Sequence, residues 1–192
     1  MVEITNTDDK LLSAAGFEAK KSPCRTKHGC VAVINGKIIA TGHNHYRNPS
    51  SDGFIREICT CHAEMDALRS VYKNINGRGH YRKNIRNNKI FEKIVLYNVR
   101  INNQNMFMNS KPCADCMKVI KFLNIKKIVY SEDDGINVMY PNDYSETYYT
   151  SMKRELLIKL QHHQCVPGFV PGGHLGHVGG KAPAAFACSG VR

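Results

Sequence analysis

The sequence predicts a three-layer α/β/α fold, in which helices cover both faces of a central mixed sheet of about five strands. After a first helix, hydrophobic patterns follow one another in the order strand, strand, helix, strand, helix, strand, strand, helix. A chain of 192 residues is long enough to bury a core as one domain. Cysteine and histidine motifs fall where predicted strands pass into helices, which is the usual place for ligand sites in open α/β sheets.

The first predicted elements are a helix and a hairpin. Thr7-Asp8-Asp9 is typical of a helix start, and apolar residues follow at helical spacing until Pro23 ends the helix. Residues 29–34 and 37–41 are apolar and favour strands. Asn35-Gly36 lies between them and is the strongest two-residue hairpin signal.

A loop and a second helix follow the hairpin. We expect Gly42 to break the second strand and to begin a loop that runs to Cys59. His62 begins a helix with one apolar face. Residues 77–89 then form a basic, turn-rich segment without acidic residues, which we interpret as a charged surface loop. Contact with a phosphate backbone is the alternative.

The second half of the chain continues the alternation of strands and helices. A polar loop rich in Asn leads to Ser110, and the turn Asp133-Asp134-Gly135 is too short to hold a helix, which predicts a direct hairpin. The predicted elements are a strand at 94–99, a helix from 113, strands at 125–130 and 136–140, and a helix from 145 to about 163.

The composition changes after residue 163. Residues 164–192 are rich in Gly and Pro and contain no acidic residue. We therefore expect a globular domain over 1–163 and a flexible tail over 164–192.

The bulk composition narrows the functional classes. The net charge of +11 suits anionic partners, from a mononucleotide to a nucleic acid, although a basic surface can also serve solubility alone. The sequence has no apolar run long enough to span a membrane and no N-terminal signal pattern. Together with eight Cys in a chain of this size, these features favour a cytoplasmic, intracellular and reducing compartment.

The central motif combines cysteines with a histidine. Cys113 and Cys116 are three residues apart, so their sulfur atoms share one side of a helical turn that begins near Pro112. His62 is the candidate third ligand, which leaves one position open, as in a catalytic Zn²⁺ site. Glu64 would lie beside the metal as an acid and base without binding it.

These motifs resemble those of the cytidine and deoxycytidylate deaminase superfamily. The resemblance extends over residues 22–131 and rests on Gly42-His43-Asn44, Cys61-His62-Ala63-Glu64 and Pro112-Cys113-Ala114-Asp115-Cys116. It implies a cytidine-deaminase-like fold and a zinc-dependent hydrolytic deamination of cytosine to uracil. It also implies a homo-oligomer.

The resemblance gives each motif residue a role. Glu64 would move protons between water, the pyrimidine ring and the departing amine, while His62, Cys113 and Cys116 hold zinc. The resemblance assigns substrate binding to Asn44 and to Ala63 through its backbone N–H, and Arg47 is a further candidate because it lies near the predicted mouth of the site. An Asn that stabilises a loop and a solvated Arg are the alternatives for Asn44 and Arg47. Lys27 and Arg56 are further candidates for holding a 5′-phosphate.

Two questions stay open at this stage. The substrate can be cytidine, deoxycytidine, CMP or dCMP, or instead cytosine or adenine in single-stranded DNA or RNA, and a relative that binds nucleic acid without catalysis is a further alternative. Lys111 and Asp115 differ from the motif of tRNA adenosine deaminases, which disfavours adenine.

Cys59 and Cys61 could form a second zinc site with His80 or His45, but we expect buried thiols there, as at Cys24 and Cys30.

Overall fold

The computed structural model describes residues 4–47, 60–76 and 89–145. This part of the chain forms an α/β fold, as predicted. Its helices are α1 (Asn6–Lys20), α2 (Ala63–Asn76) and α3 (Ala114–Phe122), with short 3-10 turns at Phe91–Lys93 and Pro141–Asp143. Its strands are β1 (Lys27–Ile34), β2 (Lys37–His43), β3 (Val95–Ile101), β4 (Phe107–Met108), β5 (Lys127–Glu132) and β6 (Gly135–Met139).

The strands form one mixed sheet in the order β2-β1-β3-β5-β6, with β4 paired to β3. Strands β3 and β5 are parallel, and α3 lies between them in the chain. The other pairs are antiparallel, including the predicted hairpin of β5 and β6. In the turn between β1 and β2, Asn35 has a φ of 49° and Gly36 a φ of 74°, as a primed hairpin turn requires.

Helices cover both faces of this sheet, which confirms the three-layer prediction. Alternate residues of β1 point in opposite directions: Val31 and Val33 pack with α1, whereas Cys30 and Ala32 pack in the core that includes α2 and α3. The sheet therefore separates two apolar cores. The metal motif lies on the α2 and α3 side.

Helix α1 starts slightly earlier than the sequence pattern predicts. Thr5 is the N-cap and forms a capping box with Asp8, which satisfies two backbone N–H groups that the helix leaves free. The hydroxyl of Tyr97 in β3 donates to the carboxylate of the same Asp8. This bond ties the helix start to the sheet.

The prediction that Gly42 breaks the second strand is wrong, because β2 continues to His43. Gly42 is needed for a close approach between elements. A Cβ atom at this position would lie 2.3 Å from the backbone nitrogen of Ala67 and 2.7 Å from the carbonyl oxygen of Ala63, both in α2. Glycine thus lets the helix that follows His62 pack directly on the sheet.

The polar loop predicted before Ser110 also differs, because it contains the short strand β4. The side-chain oxygen of Asn102 accepts from the backbone N–H groups of Gln104 and Met106. Asn105 has a φ of 60° in the same turn. These asparagines build a hairpin whose two-residue strand is too short to show periodicity.

We expect Gly42→Ala to lower the free energy of unfolding by about 3 kcal/mol, because the backbone of α2 must move to admit the methyl group. Gly16→Ala is the matched control, since its methyl group would meet side-chain atoms at ordinary contact distance, the nearest in the Phe107 ring at 3.4 Å. Chemical denaturation of both variants measures the difference. A Gly42→Ala protein as stable as the parent would contradict the packing described here.

Several predictions fall outside the described residues. They are the loop 48–59, nearly all of the basic segment 77–89, the last helix after Ser145, and the tail 164–192. The helices in the described ranges are too short or too polar to cross a lipid bilayer.

Candidate metal centre

Two helix starts bring the predicted metal ligands together. His62 directly precedes α2, and its carbonyl oxygen accepts from the N–H of Asp66, so it caps that helix. Cys113 is the N-cap of α3, and Cys116 lies in the first turn of the same helix. Both helices start on the same side of the sheet. The one potential ligand atom of each residue lies within 4.8 Å of the other two.

The spacing of these three atoms fits zinc. The Nδ1 atom of His62 lies 3.1 Å from the sulfur of Cys116 and 3.5 Å from that of Cys113. Tetrahedral ligands on ordinary Zn–N and Zn–S bonds lie roughly 3.5 Å apart. Two sulfurs and one imidazole are also the soft donor set that zinc prefers, and they leave a fourth position for water or substrate.

The pKa values of the three candidate ligands are coupled through hydrogen bonds, and one thiol is readily ionised, which favours binding of a metal cation. A hydrogen bond from Cys116, supported by His62, lowers the pKa of the Cys113 thiol to about 4 although burial opposes the shift. The same hydrogen bond and burial raise the pKa of Cys116. Burial disfavours charge on His62, yet its hydrogen bond to Cys113 and the charge there raise the pKa of the imidazole to about 9. A bound metal ion would displace the protons that His62, Cys113 and Cys116 share through these hydrogen bonds.

Glu64 lies in the first turn of α2, two residues after His62, and is buried. Burial raises the pKa of its carboxyl group, while the neighbouring His62 opposes the shift. One carboxylate oxygen, Oε1, accepts a hydrogen bond of 3.0 Å from the side-chain nitrogen of Asn98. The structure therefore holds the predicted acid and base beside the three ligand atoms.

The sequence patterns did not identify Asn98 as part of this group. It lies in β3 and is completely buried, and its Nδ2 atom also donates to the carbonyl oxygen of Ser110 at 2.6 Å. Its signal in the sequence is an amide within a stretch otherwise read as a buried apolar strand. A buried amide needs hydrogen-bond partners, so an Asn at this position indicates a polar contact. The sequence alone does not show which residue the partner is.

Asn44 follows β2 and is buried, but its side chain already has two backbone partners. Its oxygen accepts from the N–H of His28 at 2.8 Å, and its nitrogen donates to the carbonyl oxygen of Thr26 at 2.7 Å. These two bonds stabilise the chain where it enters β1. They agree with the alternative that Asn44 stabilises a loop. A contact between Asn44 and a substrate stays a prediction.

The other predicted substrate residues differ in exposure. Ala63 is buried as the first residue of α2, where a backbone N–H has no partner within the helix. Arg47 is exposed after β2, and Lys27 is partly exposed at the start of β1. Arg56 lies outside the described residues.

A second group of potential ligands consists of His45, Cys61 and Asp66. The Nδ1 atom of His45 accepts from the N–H of Arg47, so the ring proton lies on Nε2, which faces a carboxylate oxygen of Asp66 at 3.4 Å. Burial raises the pKa of the Cys61 thiol to about 12. Cys61 is a buried free thiol, as expected.

The other cysteines agree with that expectation as far as the structure describes them. Cys24 and Cys30 are buried, and burial raises the pKa of the Cys30 thiol. Cys59 and His80, the other members of the suggested second zinc site, lie outside the described residues.

A family model described as the cytidine and deoxycytidylate deaminase zinc-binding region matches residues 5–132, which include all three ligand residues and Glu64. No match was found among curated protein sequences.

Solved structures similar to this chain include three deaminases. The cytidine deaminase from Burkholderia pseudomallei is 21% identical, with 76% of this chain and 100% of that chain covered and a TM-score of 0.49. The dCMP deaminase from the cyanophage S-TIM5 is 23% identical, with coverages of 68% and 86% and a TM-score of 0.44. The cytidine deaminase from Mycobacterium leprae is 17% identical, with coverages of 70% and 94% and a TM-score of 0.43.

Proposed function

This chain belongs to the cytidine and deoxycytidylate deaminase family, and from that premise we propose that it converts cytosine to uracil in a nucleoside or nucleotide by zinc-dependent hydrolysis. The observation that carries the proposal is the convergence of His62, Cys113 and Cys116 with the buried carboxylate of Glu64 beside them. Zinc held by these three residues would supply the Lewis acidity that makes water a nucleophile at neutral pH.

The proposed reaction adds water to the pyrimidine and removes an amine. The oxygen of water bonds to C4, the bond between C4 and the exocyclic nitrogen breaks, and ammonia leaves. Glu64 takes one proton from the water and delivers it to ring atom N3. It then takes the second proton from the oxygen now bonded to C4 and delivers it to the leaving nitrogen. A raised pKa suits this carboxyl group, because it must both accept and release protons near neutral pH.

We propose that three residues bind the substrate, namely Ala63, Asn44 and Arg47. We assign the N–H of Ala63 to the pyrimidine O2, because the helix start leaves that donor without an intrahelical partner. Asn44 keeps one amide proton and one oxygen lone pair for a sugar hydroxyl, beyond its two backbone bonds. Arg47 is the candidate for a 5′-phosphate.

We favour a small substrate, namely cytidine, deoxycytidine, CMP or dCMP. The chain contains no Trp, and part of its basic excess lies in the segment 164–192. Single-stranded nucleic acid is the second candidate, and one specific observation supports it. Tyr46 is 62% exposed directly beside the exposed Arg47, an arrangement that could stack on a base and contact a phosphate.

Some wider features rest on the resemblance and the composition alone. We propose that residues 1–163 form the catalytic domain and that residues 164–192 are a tail without a role in catalysis. We also propose a homo-oligomer in the cytoplasm, with adenine deamination and a non-catalytic nucleic-acid binder as less favoured alternatives.

We expect zinc-loaded protein to deaminate at least one of cytidine, deoxycytidine, CMP and dCMP faster than a cytosine-bearing oligonucleotide, because the proposed site needs only one base and one phosphate. Product formation measured side by side for all five compounds tests this, with Glu64→Gln as the inactive control. Turnover of the oligonucleotide alone, falling steeply as salt is added, would overturn the small-substrate proposal. No turnover of any of the five would overturn the deaminase proposal.

A further inference from the structure

The side chain of Asn98 has one polar atom that the protein leaves without a partner. Its nitrogen is used twice, toward Oε1 of Glu64 and toward the carbonyl oxygen of Ser110. Its oxygen, Oδ1, is buried and has no hydrogen-bond partner, and within residues 4–47, 60–76 and 89–145 it is the one buried side-chain nitrogen or oxygen of this kind.

The orientation of this amide is fixed by its neighbours. A flipped amide would place Oδ1 against the carbonyl oxygen of Ser110, which can only accept, and would leave that oxygen without a donor. Ser110 cannot easily move away. Its hydroxyl donates to the backbone oxygen of Asn98, and its N–H donates to the backbone oxygen of Ser131 in β5. The nitrogen of Asn98 therefore faces Glu64 and the oxygen stays free.

The register of the sheet places Asn98 on the side of the metal ligands. In the antiparallel pair of β1 and β3 it lies opposite Cys30, whose side chain packs in the core shared by α2 and α3. The same amide group that touches Glu64 thus carries the unpartnered oxygen. Any substrate atom that exchanges a proton with Glu64 must come close to it.

An acceptor buried without a donor costs about 1–3 kcal/mol, so Oδ1 is suited to a donor that comes from outside the protein, either water or a ligand. The exocyclic amino group of cytosine offers N–H donors at the atom that the reaction removes. Uracil has a carbonyl oxygen at the same atom, and two facing acceptors repel each other. Oδ1 would therefore favour the substrate over the product.

We propose that Asn98 positions Glu64 through Nδ2 and recognises the amino group of cytosine through Oδ1. This inference rests on the proposed function and adds the residue that distinguishes the amino form of the pyrimidine from the oxo form. It also gives a reason for release of the product, since deamination turns a hydrogen bond into a repulsion.

The test measures binding of cytidine and uridine, or of CMP and UMP if the parent acts on the nucleotide. Glu64→Gln serves as the background, so that the cytosine form is not consumed. Adding Asn98→Leu should weaken binding of the cytosine form by about tenfold, the size of one hydrogen bond. Binding of the uracil form should stay within about twofold or become tighter.

Controls separate this effect from a change in folding. Asn102→Leu in the same background removes an amide from the turn after β3 but keeps the Asn98 amide and its neighbours, so the preference for the cytosine form should stay as in the background. Asn98→Ser repeats the test if Asn98→Leu does not fold, because its hydroxyl is too short to replace the carbonyl oxygen. Denaturation midpoints verify that each variant is folded.

If binding of the cytosine and uracil forms weakened equally, or if neither changed, the proposed recognition by Oδ1 would be wrong. Oδ1 would then be a site that binds water only. Such a result would not touch the proposed function, which is judged on turnover by the parent. If the parent deaminates none of the five compounds, the proposed deaminase function is wrong. The inference about Asn98 is then wrong as well, because it rests on that function.

Discussion

Glu64→Gln should lower the rate of deamination by about two to four orders of magnitude, because a glutamine amide cannot carry protons between water, N3 and the leaving amine. The substitution keeps the shape of the side chain and the oxygen that accepts from Asn98. Zinc content should stay unchanged, because Glu64 is not among the three ligand atoms. The fold should also be kept, because the amide has the size of the buried carboxyl group that it replaces.

Turnover number, zinc content and denaturation midpoint, measured on the same preparation, separate these effects. Glu18→Gln is the matched control, because Glu18 is another buried carboxylate, and it lies in α1 with Lys21 as its ion-pair partner. That variant should keep the turnover of the parent. If Glu64→Gln retained more than about a tenth of the parental rate, the assignment of Glu64 as the proton carrier would be wrong.

The parts of the fold that the sequence predicted are those whose cause is local. The apolar spacing of α1 depends on residues three or four apart, and the apolar residues with this spacing, Leu11, Leu12, Ala15 and Ala19, are all buried. Asn35-Gly36 predicted a hairpin because its two residues alone satisfy the turn. The shared side of Cys113 and Cys116 could be predicted for a related reason, since one helical turn fixes their relation. His62 was proposed as the third ligand from the motif and not from local spacing.

The features that sequence reasoning missed depend on contacts between distant parts of the chain. Gly42 was interpreted as a strand breaker, because the backbone of Ala67 that it contacts belongs to a helix whose packing no local pattern reveals. Asn98 and Glu64 are 34 positions apart in the chain, and only the fold places the amide against the carboxylate. The pairing of β4 with β3 likewise appears only in the folded sheet.

Cys113→Ala should reduce bound zinc from about one ion per chain to less than about a tenth of that, because a histidine and a single thiolate bind zinc far more weakly than the three donors together. The thiol of Cys113 is the donor whose pKa is lowered, so it is the thiolate already present at neutral pH. Its loss also removes one of the two sulfur atoms that contact Nδ1 of His62. Deamination should fall with the zinc content.

Cys30→Ala is the matched control for this change. Cys30 is a buried thiol in the same core, but it is not one of the grouped ligand residues. Its removal should leave zinc content unchanged and cost only a small packing energy, on the order of 1 kcal/mol. The comparison therefore separates the loss of a ligand from the loss of a buried sulfur.

Metal analysis of the purified parent and of these two cysteine variants, with deamination measured on the same samples, tests the central claim most directly. We predict about one tightly bound zinc per chain in the parent and in Cys30→Ala, and little zinc and little deamination in Cys113→Ala. A Cys113→Ala protein that keeps the zinc of the parent, or a parent that deaminates cytosine without zinc, would contradict the account.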